Sequence, residues 1–255
     1  MSKIRKVYFT KLILRIIILI LSLIIYFCAP EQFEVVEGWN FFKSFSVFHL
    51  LWAAWIYDMI SQLFPVKNIA LGSQKFFKEK FRPAINKILD KDKLKSYIIN
   101  TNKAAGKVML LWVSFIALIS MLKICKILDN KHLFLISVAF YVCDLICVLV
   151  WCPFRLMLGN KCCTTCRIFN WDHLMMFTPM LLVGSFFSIS LLLISIIDFV
   201  AWEVAIYLYP ERFWENSNMA LKCSECTDKL CTQYCHKLRR KVETASFSAE
   251  QKPLK

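Results

Sequence analysis

Residues Leu12–Ala29 read LILRIIILILSLIIYFCA, a block whose one charge is Arg15. At about 1.5 Å per residue a helix of this length reaches about 27 Å, close to the roughly 30 Å thickness of a bilayer's hydrocarbon core. The block is too long for the apolar region of a secretory signal, and Cys28-Ala29-Pro30 offers no small-x-small cleavage pattern. It therefore reads as a retained membrane helix. Arg15 sits near enough to its start to snorkel toward the headgroups.

Working outward, four more apolar blocks follow: Phe41–Phe64, Val108–Leu122 with a fringe to Leu128, Leu133–Leu158 and Leu174–Tyr209. A composition that is 58% hydrophobic with 5 Gly excludes a disordered, collagen-like or loop-rich β chain. The expected fold is all-α and polytopic, with about five transmembrane spans. Its organisation is two spans in 1–64, a basic loop in 65–107, three spans in 108–209 and a Cys-rich basic tail in 210–255. The fifth block is too long for one span and too short for two full ones with a turn. It reads as a span over Met175–Ile197 followed by an interfacial helix from Asp198, with Phe199, Trp202, Tyr207, Tyr209, Phe213 and Trp214 as an aromatic belt.

Lys and Arg fix the orientation, because cytoplasmic loops carry their excess. The leader has Lys3, Arg5, Lys6 and Lys11, whereas Pro30–Asn40 has none and carries Glu31, Glu34 and Glu37. The N-terminus is thus cytoplasmic in a plasma membrane, and the 65–107 loop, with 11 basic against 3 acidic residues, lies on the same side. Five spans put the tail outside, although it has 9 Lys and Arg. Hydropathy is given precedence because the densest tail charges lie beyond the roughly 15–20 residues over which the charge rule has most weight. If the fifth block is instead a hairpin or a re-entrant helix, the tail returns to the cytoplasm and both cysteine clusters share one face; with the tail outside, the membrane separates them and a joint metal site is excluded.

Within the second loop Phe77, Phe81, Ile85 and Ile88 recur at helical spacing among Lys75, Lys78, Lys80, Arg82, Lys87 and Lys91. This pattern predicts an amphipathic basic helix, either lying on anionic lipid headgroups or packed as a cytoplasmic connector. The net charge of +14 would suit nucleic acid, but no nucleic-acid module is present and the loops account for much of the excess, so that partner is unlikely on composition.

Seven of the 12 cysteines form two clusters, Cys162-Cys-Thr-Thr-Cys166 and Cys223-Ser-Glu-Cys226 with Cys231 and Cys235. The others, Cys28, Cys125, Cys143, Cys147 and Cys152, lie in or beside apolar spans and read as small hydrophobes. The CxxC spacing of Cys163/Cys166 and Cys223/Cys226 suits tetrahedral zinc, with Cys231 and Cys235 as further ligands. An iron–sulfur cluster fits less well, since no ferredoxin spacing occurs. On the outer face the tail cysteines would instead pair as disulfides.

Asp144 falls near the middle of the fourth span, where an ionised carboxylate costs about 2.5–3.5 kcal/mol. His49 lies at a comparable depth in the second span and is its candidate partner, while Asp58, nine residues on, faces the other way. Asn170 or Asp172 would cap the fifth helix, and Asp172 with His173 could serve as ligands or an acid–base pair. No Ser–His–Asp, phosphate-cradling or HExxH pattern occurs.

The stretches Cys162-Cys-Thr-Thr-Cys-Arg-Ile-Phe-Asn-Trp-Asp-His173 and Lys222-Cys-Ser-Glu-Cys-Thr-Asp-Lys-Leu-Cys-Thr-Gln-Tyr-Cys235 resemble those of a family of multi-pass membrane proteins from low-GC bacteria. The resemblance implies a bacterial plasma membrane and a cysteine-bearing signature, and supplies no catalytic residue. The leading expectation is a membrane protein binding a metal through clustered cysteines in a structural or sensing role. The alternatives are a homo-oligomeric small transporter or channel subunit using Asp144, His49 and Asp58, a thiol–disulfide oxidoreductase, and a partner protein docking through the basic loop.

Overall fold

The computed structural model describes residues 3–43, 45–64, 73–84, 90–159 and 162–225. The described chain is helical, and its one β contact is a single bridge between Pro83 and Asn218. Five long helices build the bundle: α1 (Lys3–Cys28), α2 (Val47–Leu63), α4 (Lys91–Ile124), α5 (Asn130–Leu149) and α8 (Phe186–Leu208). Between them lie short α3 (Ser73–Phe76), α6 (Phe154–Leu158) and α7 (Asp172–Phe177). Four of the helices, α1, α4, α5 and α8, are long and apolar enough to cross a membrane. At 17 residues α2 is about 26 Å long, just short of the hydrocarbon thickness.

The surface is inverted relative to a water-soluble bundle. Ile13, Leu14, Ile17, Ile20, Leu21 and Ile24 of α1 are exposed, as are Leu110, Leu111, Val113, Leu118 and Met121 of α4. On α8, Ile189, Leu193, Ile196, Ile197, Val200 and Val204 face out while Phe187, Leu191, Ser195, Asp198, Trp202 and Ile206 face in, a seam spaced by three and four. An apolar exterior on every long helix matches a hydrocarbon solvent.

The two ends of the bundle are distinct. At the first, Tyr26 meets His132 at 3.2 Å, Asn130 donates to Glu37 at 3.2 Å and the Phe186 N–H donates to the Gly38 carbonyl. At the second, Tyr97 donates to the Phe213 carbonyl, Arg212 to the Phe76 carbonyl and Gln62 reaches His173. An aromatic core under the first end, Phe33, Phe48, Trp55, Phe134, Phe177 and Phe187, has neighbouring rings such as Phe48–Phe134 and Trp55–Phe177 4.6 and 5.1 Å apart.

Three expectations are corrected here. The fifth apolar block is a hairpin rather than a span with an interfacial helix. α7 and a 3-10 turn over Thr178–Leu182 climb from Gln62 to the level of Gly38, and α8 descends without a break through Asp198. The chain reverses at Gly184, whose φ of +66° lies in the left-handed region that favours glycine. Pro179, at the start of the 3-10 turn, has no N–H to continue α7. As a result the tail's described part, Pro210–Glu225, is at the second end, not across from the basic loop: the Met219 and Ala84 N–H groups donate to the Arg82 and Ser217 carbonyls.

The amphipathic basic helix is the third correction. Lys78–Lys80 make a single 3-10 turn and Phe81–Ala84 are irregular, because Pro83 removes a donor and holds Arg82 out of the helical region. Ile85 and Ile88 lie outside the described residues. Behind the Asp90 cap, whose carboxylate accepts from the Lys93 N–H, the first turn of α4 begins. The belt aromatics also divide: Trp202, Phe213 and Trp214 are buried, while Tyr207 and Tyr209 are exposed.

Candidate functional site

Charge enters the bundle interior on α1. Leu12, Arg15 and Ser22 are its buried positions, one helical stripe packed along α5. Arg15 Nη1 donates to Asp144 Oδ2 at 2.6 Å and to the Tyr141 carbonyl at 2.7 Å. Its Nη2 lies 3.5 Å from Asp58 Oδ2, and the guanidinium sits 3.8 Å above the Tyr141 ring. The Tyr141 hydroxyl donates to Asp58 at 3.5 Å, and Lys11 stands 3.9 Å from the other Asp58 oxygen. Two carboxylates from α2 and α5 thus share one delocalised cation, held flat by an aromatic face.

A second polar group adjoins the first. His173 Nδ1 lies 3.4 Å from Asp172 Oδ1 and 3.2 Å from Gln62 Nε2. The carboxylates of Asp172, Asp198 and Asp58 act on His173, and that of Asp172 acts on Asp144. Asp198 is 4% exposed, and among the described residues neither of its oxygens has a hydrogen-bond partner. Ser195, one turn away, does not relieve it, since its hydroxyl donates to the Leu192 carbonyl. A buried carboxyl without a hydrogen bond costs stability, so it is not there to hold helices together.

At the second end an ion pair fastens the connector to α8. Arg167 is bidentate to Glu203 at 2.6 and 2.5 Å, Trp171 Nε1 donates to the same carboxylate at 2.8 Å, and Arg167 Nε donates to Asn102. This geometry is a planar fork, the strong form of the interaction. Trp171 is therefore a buried donor, and it holds the cap position of α7 in place of Asn170 or Asp172.

Lys75 lies buried beside this lock. Its ammonium donates to the Cys166 carbonyl at 3.2 Å and lies 5.4 and 5.7 Å from the Phe169 and Trp202 ring centres. Burial lowers its pKa to about 8 despite the opposing pull of Cys166, Cys162 and Cys163. Burial also pushes the Cys163 thiol up to about 12, and its Sγ donates to the Cys147 carbonyl at 3.5 Å. Cys152 moves the other way, to about 7. The hydrogen bond from Cys147 favours its thiolate most, burial opposes it, and the N–H groups of Arg155 and Phe154 and the Arg155 charge add support.

Against the expected site residues, the structure brings Asp144 and Asp58 together through Arg15 and leaves His49 out. His49 is committed to the head of α2, where Nδ1 accepts from the Ser46 N–H and Nε2 lies 2.8 Å from the Phe41 carbonyl. The His49–Asp144 contact is corrected accordingly: the two sit at different heights, and Asp144 has a cation instead. Arg15 does not snorkel, because an inward carboxylate pair satisfies it better than a route past apolar neighbours. Cys163 and Cys166 lie in the connector, and Cys223 opens a 3-10 turn at the same end of the bundle. Cys226, Cys231 and Cys235 lie outside the described residues. Among the described residues no three Cys, His, Asp or Glu side chains gather as a metal site, and no disulfide forms.

Arg15, Asp198, Lys75, Glu203 and the Cys147/Cys152 contact were not read as site features from sequence. The charge of Arg15 inside an apolar block was the available signal, and so was that of Asp198. Comparison with protein-family models, with curated proteins and with solved structures finds no match.

Proposed function

We propose that this chain is a polytopic plasma-membrane protein whose interior carboxylates pass a proton or small cation, as a transporter or channel subunit. The observation that carries the reading is Asp198, a buried carboxyl with no hydrogen-bond partner among the described residues, near enough to His173 and Asp172 for their charges to act on it. Intramembrane ionisable groups that face a bundle interior mark ion and proton pathways. Arg15 is the fixed counter-charge of this arrangement and Asp58 and Asp144 the groups it poises.

In this reading α2 and the α7 arm also lie in the bilayer, giving six crossings. The leader, the basic loop and the tail then share one face, and their common Lys and Arg excess makes that face the cytoplasmic one.

The test is proton flux into liposomes carrying an internal pH dye, driven by a potassium diffusion potential. Wild-type protein supports flux that Asp198→Asn abolishes. No flux in the wild type, or equal flux in Asp198→Asn, refutes the proposal.

A further inference from the structure

Lys75 carries a charge that the fold takes out of water and does not neutralise. The residue is 1% exposed. Among the described residues its ammonium has one acceptor, the Cys166 carbonyl, and no carboxylate within ion-pair reach. An ammonium has three donors, so two are left over. The Phe169 and Trp202 rings attract the charge without supplying a counter-ion. With its pKa lowered to about 8 the group is still mostly ammonium at pH 7, and a buried charge without a partner is costly.

The same side chain lines a narrow recess between α3, the first turns of α4 and the connector that follows α6, and Asn102 and Arg167 line it too. Arg167 spends three of its five N–H groups, one on Asn102 and two on Glu203, so two remain. The Asn102 side chain accepts that bond through its oxygen, which leaves both of its amide N–H donors without a partner among the described residues. Glu203 is engaged by Arg167 and Trp171 and does not line the recess. The unused groups of Lys75, Arg167 and Asn102 are thus all donors, and such a wall selects an anion with several acceptor oxygens. The recess is narrow enough to admit one oxygen to the Lys75 ammonium while others stay at the mouth beside the exposed Asn102. Pro210, next to the exposed Tyr209, forms part of the rim, at the level where aromatic residues meet lipid headgroups. Basic pockets between membrane helices on the cytoplasmic side suit anionic headgroups.

We propose that Lys75, Arg167 and Asn102 form a binding site for a phosphate group, one of whose oxygens enters the recess to meet the Lys75 ammonium. The phosphate belongs to the headgroup of an anionic phospholipid or is free inorganic phosphate. The site uses neither Asp198 nor Asp144, so its test is separate from that of proton passage. Only the headgroup source rests on the second end lying at a membrane face.

Full-length protein in detergent micelles is unfolded by heat at pH 7 and constant ionic strength, titrated separately with phosphatidylglycerol, phosphatidylcholine and inorganic phosphate. Phosphatidylglycerol or inorganic phosphate raises the unfolding temperature of the wild type to a plateau, and phosphatidylcholine, which has no net charge, does not. A shift from phosphatidylglycerol alone assigns the headgroup, and a shift from inorganic phosphate assigns the free ion. Lys75→Met weakens the apparent affinity about tenfold or more, the equivalent of one charge-assisted hydrogen bond. Asn102→Asp, at an exposed position that does not put folding at stake, sets a like charge at the mouth and weakens it about threefold or more. Lys78→Met, at an exposed position off the recess, changes it by less than about twofold. Should Lys75→Met not fold, Asn102→Asp against Lys78→Met decides. No saturable shift from either anionic probe, an equal shift from phosphatidylcholine, or a loss in Lys78→Met as large as in Asn102→Asp overturns the proposal.

Discussion

Replacing Arg15 with Met leaves the volume of the side chain roughly intact and removes the charge that Asp144 and Asp58 share. Both carboxylates are at most about a quarter exposed, and Arg15 is buried. Removing one partner of such a pair costs about 3–5 kcal/mol, because the charges left behind have no solvent to return to. Asp144→Asn should cost less, about 1–3 kcal/mol, since Arg15 keeps the Tyr141 carbonyl and Asp58. The double variant should then lose at least about 2 kcal/mol less than the sum of the two. An ordinary polar contact between membrane helices is worth about 0.6 kcal/mol and at most about 1.7, so the two readings separate cleanly. The assay is unfolding in mixed micelles titrated with dodecyl sulfate and followed by tryptophan fluorescence. A coupling of about 1.7 kcal/mol or less would refute the view that this ion pair organises the bundle.

Gly184→Ala and Gly106→Ala should act in opposite directions in the same assay. Neither added methyl meets an atom within 4 Å, so the first costs about 1–2 kcal/mol for its left-handed backbone and the second gains about 0.5–1 for a helix interior. Equal effects would exclude Gly184 as the hairpin's turn. Lys75 has its pKa lowered to about 8, so the folded protein binds fewer protons than the unfolded one between about pH 8 and 10.5, and this group's penalty is relieved as pH rises through that window. Cys163, raised to about 12, works in the opposite sense, so the informative quantity is the difference between wild type and Lys75→Met. That difference should shrink in favour of the wild type from pH 8 to 10, and a flat difference would show that the Lys75 ammonium is not penalised. If the CxxC pairs hold zinc, purified protein carries it stoichiometrically and loses it in Cys163→Ser and Cys223→Ser. Elemental analysis giving the same content in both variants removes that reading.

The helical and membrane character was legible because hydrocarbon demands long apolar blocks, and α1, α4, α5 and α8 lie inside or across blocks readable in the sequence. The hairpin was legible in principle. Gly184 and Pro179 stand inside the fifth block but away from its middle, where a turn between two spans is expected, and the arm Asp172–Leu182 is too short to register as a hydropathy block of its own. Pro83 likewise carried the information that the basic loop could not be one helix, and the spacing of Phe77 and Phe81 masked it. Pairings were the least legible part. Whether Arg15 turns out to a headgroup or in to Asp144 depends on which helix is its neighbour, a tertiary fact that local pattern does not contain.

The Arg15–Asp144 bond joins residues 129 positions apart, and that separation is also an interval of time. At about 5–20 residues per second, a ribosome that has just released Arg15 needs roughly 6–26 s to deliver its carboxylate partner. Asp58 follows only 43 positions behind Arg15 and is available in about a third of that time. The nascent first helix therefore has a provisional counter-ion soon after it enters the bilayer. In the finished structure one guanidinium faces both acids, at 2.6 Å from Asp144 and 3.5 Å from Asp58, so the partner made last in the chain is the one held closest.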